Sequence, residues 1–549
     1  MMAFTSRVGR VGTISSGLLA ALCAGGPAFG QSPLFVAPAS VGPVGHGNSS
    51  HCLASIGDVT GDGVPDFAVG SYAGNIVTVY SGADGSVVTT IVGAGGTFGT
   101  SHLGFAVAAA GDVNADGFPD IAATRWDNTF TTNNELSEHS GATGARLGAW
   151  TPPVATYGFG GSLAPVGDLD SDGFADLAVG SEGMAFVVSG QARTTLLAMT
   201  ALGVDPVEVG PAPDLDGDGS PELALGLSGE PSPNQNARGA VRFVTASGAL
   251  VSQWSAPASL NEFGRTLSGV GDLDGDGSVD IAVYSWDGGS GDIFGRVDAF
   301  SPKLVAPLWH RTSPSGNFAA LGYNADAFGL AIAGGGDVNG DGRPDVVIGA
   351  EDSSDVNFGG ATGATFVLDG SDGTLLACPP LPTPNPYGHF GASVAMLGDV
   401  DGDGAADVGV VAAGAIIAFA CKDSSLVAYG AGCPGVGGFV PHLDGSIAPG
   451  NVVTLDLTQA RGGSVALFAF GNYPAHVPAA GLCTLWLQPV LPQFLLLPTS
   501  GSGAGVGTAS ITAAAPAGFR GELMTQAFVA DPSMPSGYAA TNAVQIVLH

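Results

Sequence analysis

Short apolar runs bounded by glycine recur along most of the chain. "DFAVGS" (66–71), "DLAVGS" (176–181) and "DVVIGA" (345–350) are near copies, each led by an acid and closed by glycine and a small residue. A continuous apolar run of this length between turn signals predicts a strand buried on both faces. A second apolar run follows closely, as in "NIVTVYSG" from Asn75, "GMAFVVSG" from Gly183 and "GATFVLDG" from Gly363. A third comes after a glycine-containing turn, as in "SVVTTIV" from Ser86 and "TLLACP" from Thr374. Each acid-led run is itself preceded by a strand-like stretch ending in Gly-Asp, as in "FGASVAMLGD" from Phe390. The pattern predicts four short antiparallel strands per unit.

Between the first and second strands of each unit lies an acidic loop of nine residues. "DLDGDGSVD" at Asp272 sets the pattern, and seven copies begin at Asp58, Asp112, Asp168, Asp214, Asp272, Asp337 and Asp399, spaced by 54, 56, 46, 58, 65 and 62 residues. One four-stranded unit cannot bury both faces, but units arranged radially can, leaving only short, protected edges. The expected fold class is therefore all-β, a seven-bladed β-propeller followed by a small antiparallel β-sandwich.

Carboxylates on alternate residues of a tight loop repel each other unless a cation lies between them. Calcium takes six to eight oxygens, and Asp side chains at positions 1, 3 and 5 converge on one point. The candidate ligands at positions 1, 3, 5 and 9 are Asp58, Thr60, Asp62 and Asp66; Asp112, Asn114, Asp116 and Asp120; Asp168, Asp170, Asp172 and Asp176; Asp214, Asp216, Asp218 and Glu222; Asp272, Asp274, Asp276 and Asp280; Asp337, Asn339, Asp341 and Asp345; and Asp399, Asp401, Asp403 and Asp407. The glycine at position 6 permits the sharp turn, and position 7 offers a carbonyl. An EF-hand needs a glutamate at position 12; here Val283 stands there, in an apolar run, so the loop joins strands rather than helices. The expected cofactor is calcium, up to seven ions.

Composition sharpens this reading. The chain has 549 residues with 90 glycines, 45% hydrophobic residues and a net charge of −33, and 25 of its 48 acidic residues lie in the seven loops. The acidity is thus largely a property of the loops. Only two lysines occur, Lys303 and Lys422, so the clustered cations that nucleic acid or an anionic membrane demands are missing. Residues 1–30 read as a secretory signal: Arg7 and Arg10, an apolar Ile14–Cys23 core, and "AFG" before Gln31. The expected localisation is secreted or cell-surface, with no transmembrane segment and the chain a monomer. Five cysteines follow the leader: Cys52, Cys378, Cys421, Cys433 and Cys483. The odd number leaves one unpaired or intermolecular, and Cys433–Cys483 is the favoured pair.

A phenylalanine and glycine open four of the units, at Phe159, Phe263, Phe328 and Phe390 with the glycine following each. Together with "GD(D/N)xDGxxD" and the "VGS/IGA" strand end, they resemble the FG-GAP repeat of integrin-alpha-type β-propellers over residues 46–429. The resemblance implies a seven-bladed ring with calcium between the first two strands of a blade and ligand binding on the opposite rim. Two units depart from the pattern, with Ser50 and Pro206 where the motif glycine belongs. The expected domains are the leader, a propeller over 31–429 and a sandwich over 430–549. The last opens with "GAGCPG", ends in "TNA" plus a strand, and resembles a C-terminal module of exported bacterial proteins.

No nucleophile elbow, His-Glu-x-x-His or Cys-x-x-Cys is present, so no catalytic residue is assigned and the chain is expected not to be an enzyme. Six residues after each ninth-position acid stand Tyr72, Trp126, Glu182, Ser228, Trp286, Glu351 and Ala413. Trp126 and Trp286 thus share one repeat position on the rim opposite the metal loops. There a tryptophan is either a ligand anchor or packing between blades. The favoured function is an exported calcium-binding adhesion or recognition module for an extracellular protein or polysaccharide. The alternatives are a polysaccharide-acting enzyme on the rim and a purely structural surface protein.

Overall fold

The computed structural model describes residues 12–13, 32–38, 51–93, 102–126, 134–203, 205–229, 239–256, 260–287, 294–304, 306–312, 328–351, 354–355, 360–361, 363–377, 389–412, 415–420, 426–429, 433–434, 438–448, 452–478, 484–514, 521–532 and 538–548. Every regular element among them is a strand. The chain divides into two compact units, one built mainly from residues 33–421 and one mainly from 422–549.

The first unit contains seven successive sheets of at least four strands. In the first, Leu53–Gly57, Asp66–Ser71, Ile76–Tyr80 and Val87–Val92 lie side by side in chain order, each antiparallel to the next. The following sheets start at His102–Gly111, Ser162–Pro165, Val207–Ala212, Leu267–Gly271, Ala331–Gly336 and Val394–Gly398. Each of these first strands touches those of the two neighbouring sheets, and the seventh touches the first. First strands therefore line the axis of a closed ring, and the fold is an all-β propeller. The acid-led second strands of five blades are buried along their whole length, as the continuous apolar runs predict, and those of blades two and five run on into half-buried rim residues.

Ring closure uses the chain's early segment. In the last blade Val394–Gly398, Asp407–Ala412 and Ala415–Ala420 are completed by Ser32–Pro38 as the outer strand. Leu426–Tyr429, expected to be the last part of the propeller, pairs instead with Tyr538–Leu548 of the second unit. The boundary therefore falls before Leu426 rather than after Tyr429. The reason is hydrogen bonding: the outer edge of Ala415–Ala420 is already taken, so the next strand must find another partner.

The repeat motif is a set of close contacts between blades. Phe159, Phe263, Phe328 and Phe390 are all fully buried. The glycine after Phe390, Gly391, has φ +89°, and its carbonyl oxygen lies only 1.9 Å from where a Cβ on Gly349 would sit. The same approach recurs between Gly70 and Gly104 and between Gly226 and Gly264, because only glycine lets backbone come this close to backbone. On the other face, the Pro65 ring rests against Gly398, which has φ +83°, and so ties the first metal loop to the last blade.

The second unit is a sandwich. Gly503–Ala514, Val452–Gly462 and His442–Ala448 form one sheet, with Gly12–Thr13 paired in parallel at its edge. Those two residues are the described part of the expected leader. Leu426–Tyr429, Tyr538–Leu548, Gly521–Ala530, Val465–Pro478 and Thr484–Pro498 form the other sheet. Leu443, Leu455, Leu457, Phe468, Val529 and Ile546 fill the space between them. Asn542 of the "TNA" motif accepts from Leu443 N (3.0 Å) and donates to Leu443 O (2.8 Å). Cys433 is disulfide-bonded and Cys52 is a buried free thiol; Cys483, Cys378 and Cys421 lie outside the described residues.

Candidate functional site

The seven acidic loops fold alike. The position-1 carboxylate accepts from the loop's own backbone: Asp58 Oδ1 from Gly61 N (2.6 Å) and Oδ2 from Gly63 N (2.7 Å), and Asp272 likewise from Gly275 (2.7 Å) and Gly277 (2.8 Å). Positions 3 and 5 stay at the surface. Position 9 is buried in every copy, as Asp66, Asp120, Asp176, Glu222, Asp280, Asp345 and Asp407. Its Oδ2 (Oε2 in Glu222) accepts from the backbone N of position 2, at 2.6–3.0 Å across the seven loops. In four blades its Oδ1 also accepts from the glycine N–H just after the third strand: Gly82 (3.0 Å), Gly141 (3.3 Å), Gly190 (3.2 Å) and Gly370 (2.9 Å). One carboxylate thus pins the metal loop to the outer hairpin.

Blade five breaks this pattern. The corresponding residue after its third strand is Pro302, which has no N–H, and Asp280 Oδ1 is buried without a hydrogen-bond partner.

Four loops bring three carboxylates within 4.8 Å of one another: Asp168, Asp170 and Asp176; Asp214, Asp216 and Asp218; Asp272, Asp274 and Asp276; and Asp399, Asp401 and Asp407. The other three carry Thr60, Asn114 or Asn339 at position 3, oxygen donors that add no charge. This all-oxygen, multiply charged donor set fits a hard cation such as calcium. Without a cation the buried acids are strained electrostatically. Burial pushes Asp176 and Asp280 up to about 6 and Asp345 and Asp407 up to about 7, although backbone N–H groups pull each down and neighbouring carboxylates add to the rise.

Residues at the other end of the second strands face the opposite side of the ring. Trp126 and Trp286 both lie there, half-buried, six residues beyond the ninth-position acids. Trp126 stacks on Phe105 (5.2 Å between centroids) and meets Tyr157 of the next blade edge-on (6.1 Å). Tyr72 and His102 extend the cluster, with Tyr72 edge-on to both Phe105 (6.0 Å) and His102 (5.9 Å). Trp126 therefore belongs to an aromatic strip across three blades. Asp127 and the rim segments at 128–133 and 234–238 lie outside the described residues.

Trp286 has different company. It walls a cavity of about 440 Å3 on the ring axis, bounded by the starts of the first strands of blades three to seven. Ser228 and Glu351, from the same repeat position, line it too. So do Asp205, Glu208, Glu262 and Arg265, which sequence reasoning missed. Asp205, Glu262 and Arg265 sit in the irregular approach to the first strands, where no period marks them, and Glu208 is the second residue of a first strand; the only signal was polarity around the motif phenylalanine in "NEFGRT". Arg265 Nη1 donates to Glu262 Oε2 (2.7 Å). Glu208 Oε1 meets His51 Nε2 at 2.5 Å, a contact across the ring from the fourth blade to the first, and accepts from Ser162 Oγ at 3.0 Å. Burial pulls the His51 imidazole down, but the charge and hydrogen bond of Glu208 leave it above its ordinary value.

Comparison with known proteins adds to this geometry. The family described as FG-GAP-like repeat matches residues 337–410, which hold the sixth and seventh acidic loops and the strands between them. Integrin alpha-5 of Xenopus laevis is 29% identical over 259 residues, covering 42% of this chain and 19% of that protein. The chain thus spans about a fifth of that relative's length. Among solved structures, BBS1N in its complex with ARL6DN covers 71% of this chain and 98% of its own at 12% identity and a TM-score of 0.43. Chaetomium thermophilum Raptor covers 71% and 29% at 12% identity and 0.44. Superpositions this loose add nothing to the strand pairing.

Proposed function

We propose, from the premise that this chain is an FG-GAP-repeat, integrin-alpha-like propeller protein, that it is an exported recognition module whose ring is held by calcium and whose opposite rim meets an extracellular protein or polysaccharide. The observation that carries the reading is the repeated loop. Seven copies place buried and surface carboxylates together, and four gather three within 4.8 Å. Such a charge density is costly to maintain for solubility alone. Extracellular calcium is abundant enough to fill even weak sites. The leader and the relationship to an integrin subunit support an extracellular location, and among the described residues no helix is long and apolar enough to cross a membrane.

Binding rather than catalysis is the favoured role. Of the four acids along the cavity, Glu208 is held by His51 and Ser162 and Glu262 by Arg265, which suits fixed acceptors better than groups that must exchange protons.

Calcium should raise the melting midpoint relative to chelator, by linkage of about 2.7 kcal/mol per site at a hundredfold excess over Kd. An unchanged midpoint would sink the calcium reading. The double substitution Asp274→Ala and Asp276→Ala should remove one bound ion per chain and leave the rest. A glycan and secreted-protein array probed with calcium and with chelator then tests recognition itself. Equal, background-level signals under both conditions would count against a recognition role and favour a structural one.

A further inference from the structure

The axial cavity is not a metal loop and lies at the other end of the strands. Its volume, about 440 Å3, is within the range of about 300–1,000 Å3 that holds small molecules. Its wall presents strong acceptors, Asp205, Glu208, Glu262 and Glu351, with a single arginine, Arg265. Two of these acceptors already have partners: Glu208 is held by His51 and Ser162, and Glu262 by Arg265.

These groups set the chemistry of an occupant. An anion would face four carboxylates against one guanidinium. A simple ammonium could donate to the carboxylates but could accept nothing from the Arg265 guanidinium, which is a donor only. A neutral polyol does both, because each hydroxyl donates one hydrogen and accepts on two lone pairs. An aromatic wall beside carboxylates further suits the alternating apolar and hydroxyl faces of a sugar ring.

We propose that this cavity binds a neutral sugar, either a single unit or the end of a glycan chain, with Trp286 as the wall on which the ring packs and Asp205 as an acceptor for its hydroxyls. The proposal rests on the recognition reading and names a ligand class for one part of that rim. Trp126 and the aromatic strip of blades one to three lie outside it.

The test uses the full mature chain in calcium. Glucose, galactose, mannose, N-acetylglucosamine and cellobiose are offered in saturation-transfer NMR and calorimetry, with spermidine and gluconate as charged controls. At least one neutral sugar is expected to bind. Asp205→Asn, at an exposed position, and Trp286→Ala are each expected to weaken it at least tenfold, while Trp126→Ala leaves it unchanged. An unchanged melting midpoint certifies each protein. Binding of spermidine alone would overturn the proposal in favour of a cationic ligand. Sugar binding lost in Trp126→Ala but intact in the cavity variants would move the site to the strip. No binding by any sugar, with array signals intact, would overturn the cavity assignment and leave the recognition reading standing.

Discussion

The ninth-position acid does two jobs that substitution can separate. Asp345 accepts from Val338 N and Asn339 N on one oxygen and Gly370 N on the other. Asp345→Asn turns one acceptor into a donor facing an N–H. At pH 5 in chelator, where the carboxyl is protonated and the substitution relieves no charge, it should cost about 1–3 kcal/mol, read from chemical denaturation. If the loss appears only with calcium present, the residue is a ligand and not a clamp. Blade five offers the converse. Pro302→Ala would restore the N–H that Asp280 Oδ1 lacks. The gain from pairing a buried acceptor, about 1–3 kcal/mol, exceeds the roughly 0.4–1 kcal/mol lost by freeing the unfolded chain at a proline. A net rise in stability of about 1 kcal/mol is expected, and a fall would mean that the oxygen is satisfied by other means.

The same acids predict a pH response. With calcium removed, Asp345 and Asp407 titrate near 7 and Asp176 and Asp280 near 6, against an ordinary value of 3.8. A carboxyl raised on folding binds its proton more tightly in the native state. Its ionisation therefore costs stability above the folded value, and that cost is recovered as pH falls through it towards the unfolded value. In chelator the melting midpoint should rise between pH 7.5 and pH 5. His139 opposes this weakly: burial lowers it to about 4 from 6.5, so stability is lost as pH falls across that window. A monotonic fall in midpoint from pH 7.5 to 5 in chelator would contradict the strain assigned to the empty loops.

At the scale of elements, the contacts that matter are between blades. Gly349 ends a second strand and Gly391 begins the next blade, and a methyl group on Gly349 would strike the Gly391 carbonyl at 1.9 Å. Neither partner is a flexible side chain, so the blades must part. Gly349→Ala should destabilise by about 1–3 kcal/mol, as overpacking does, and loosen hydrogen-exchange protection in blades six and seven first. A protein as stable as wild type would show that the interface yields at no cost. The motif phenylalanines were legible from the same stretch of sequence, because a large apolar residue beside a fixed glycine recurs once per unit. Asp205, Glu262 and Arg265 of the cavity were not, because they occupy connections that vary in length and lack a period.

At the scale of the molecule, ring closure decides the order of the chain. Ser32–Pro38 completes the last blade, so removing residues 31–38 should expose an edge strand and favour association, visible by light scattering. Truncation after Cys421 should leave a folded ring, whereas truncation after Tyr429 would carry an unpaired strand that belongs with Tyr538–Leu548. What the sequence determined by itself is everything that repeats: the strand units, the acidic loops, the motif glycines and the rim position shared by Trp126 and Trp286. Repetition multiplies a weak local signal, and each of these features depends on neighbours a few residues away. Only the tertiary structure decided what depends on residues far apart in the chain. It chose between Ser32–Pro38 and Leu426–Tyr429 for the closing strand, brought His51 to Glu208 across the axis, and separated the two tryptophans into an aromatic strip and a cavity wall. The physical reason is that a ring brings the starts of all its first strands to one axis, so five blades build one cavity from residues that no local pattern connects.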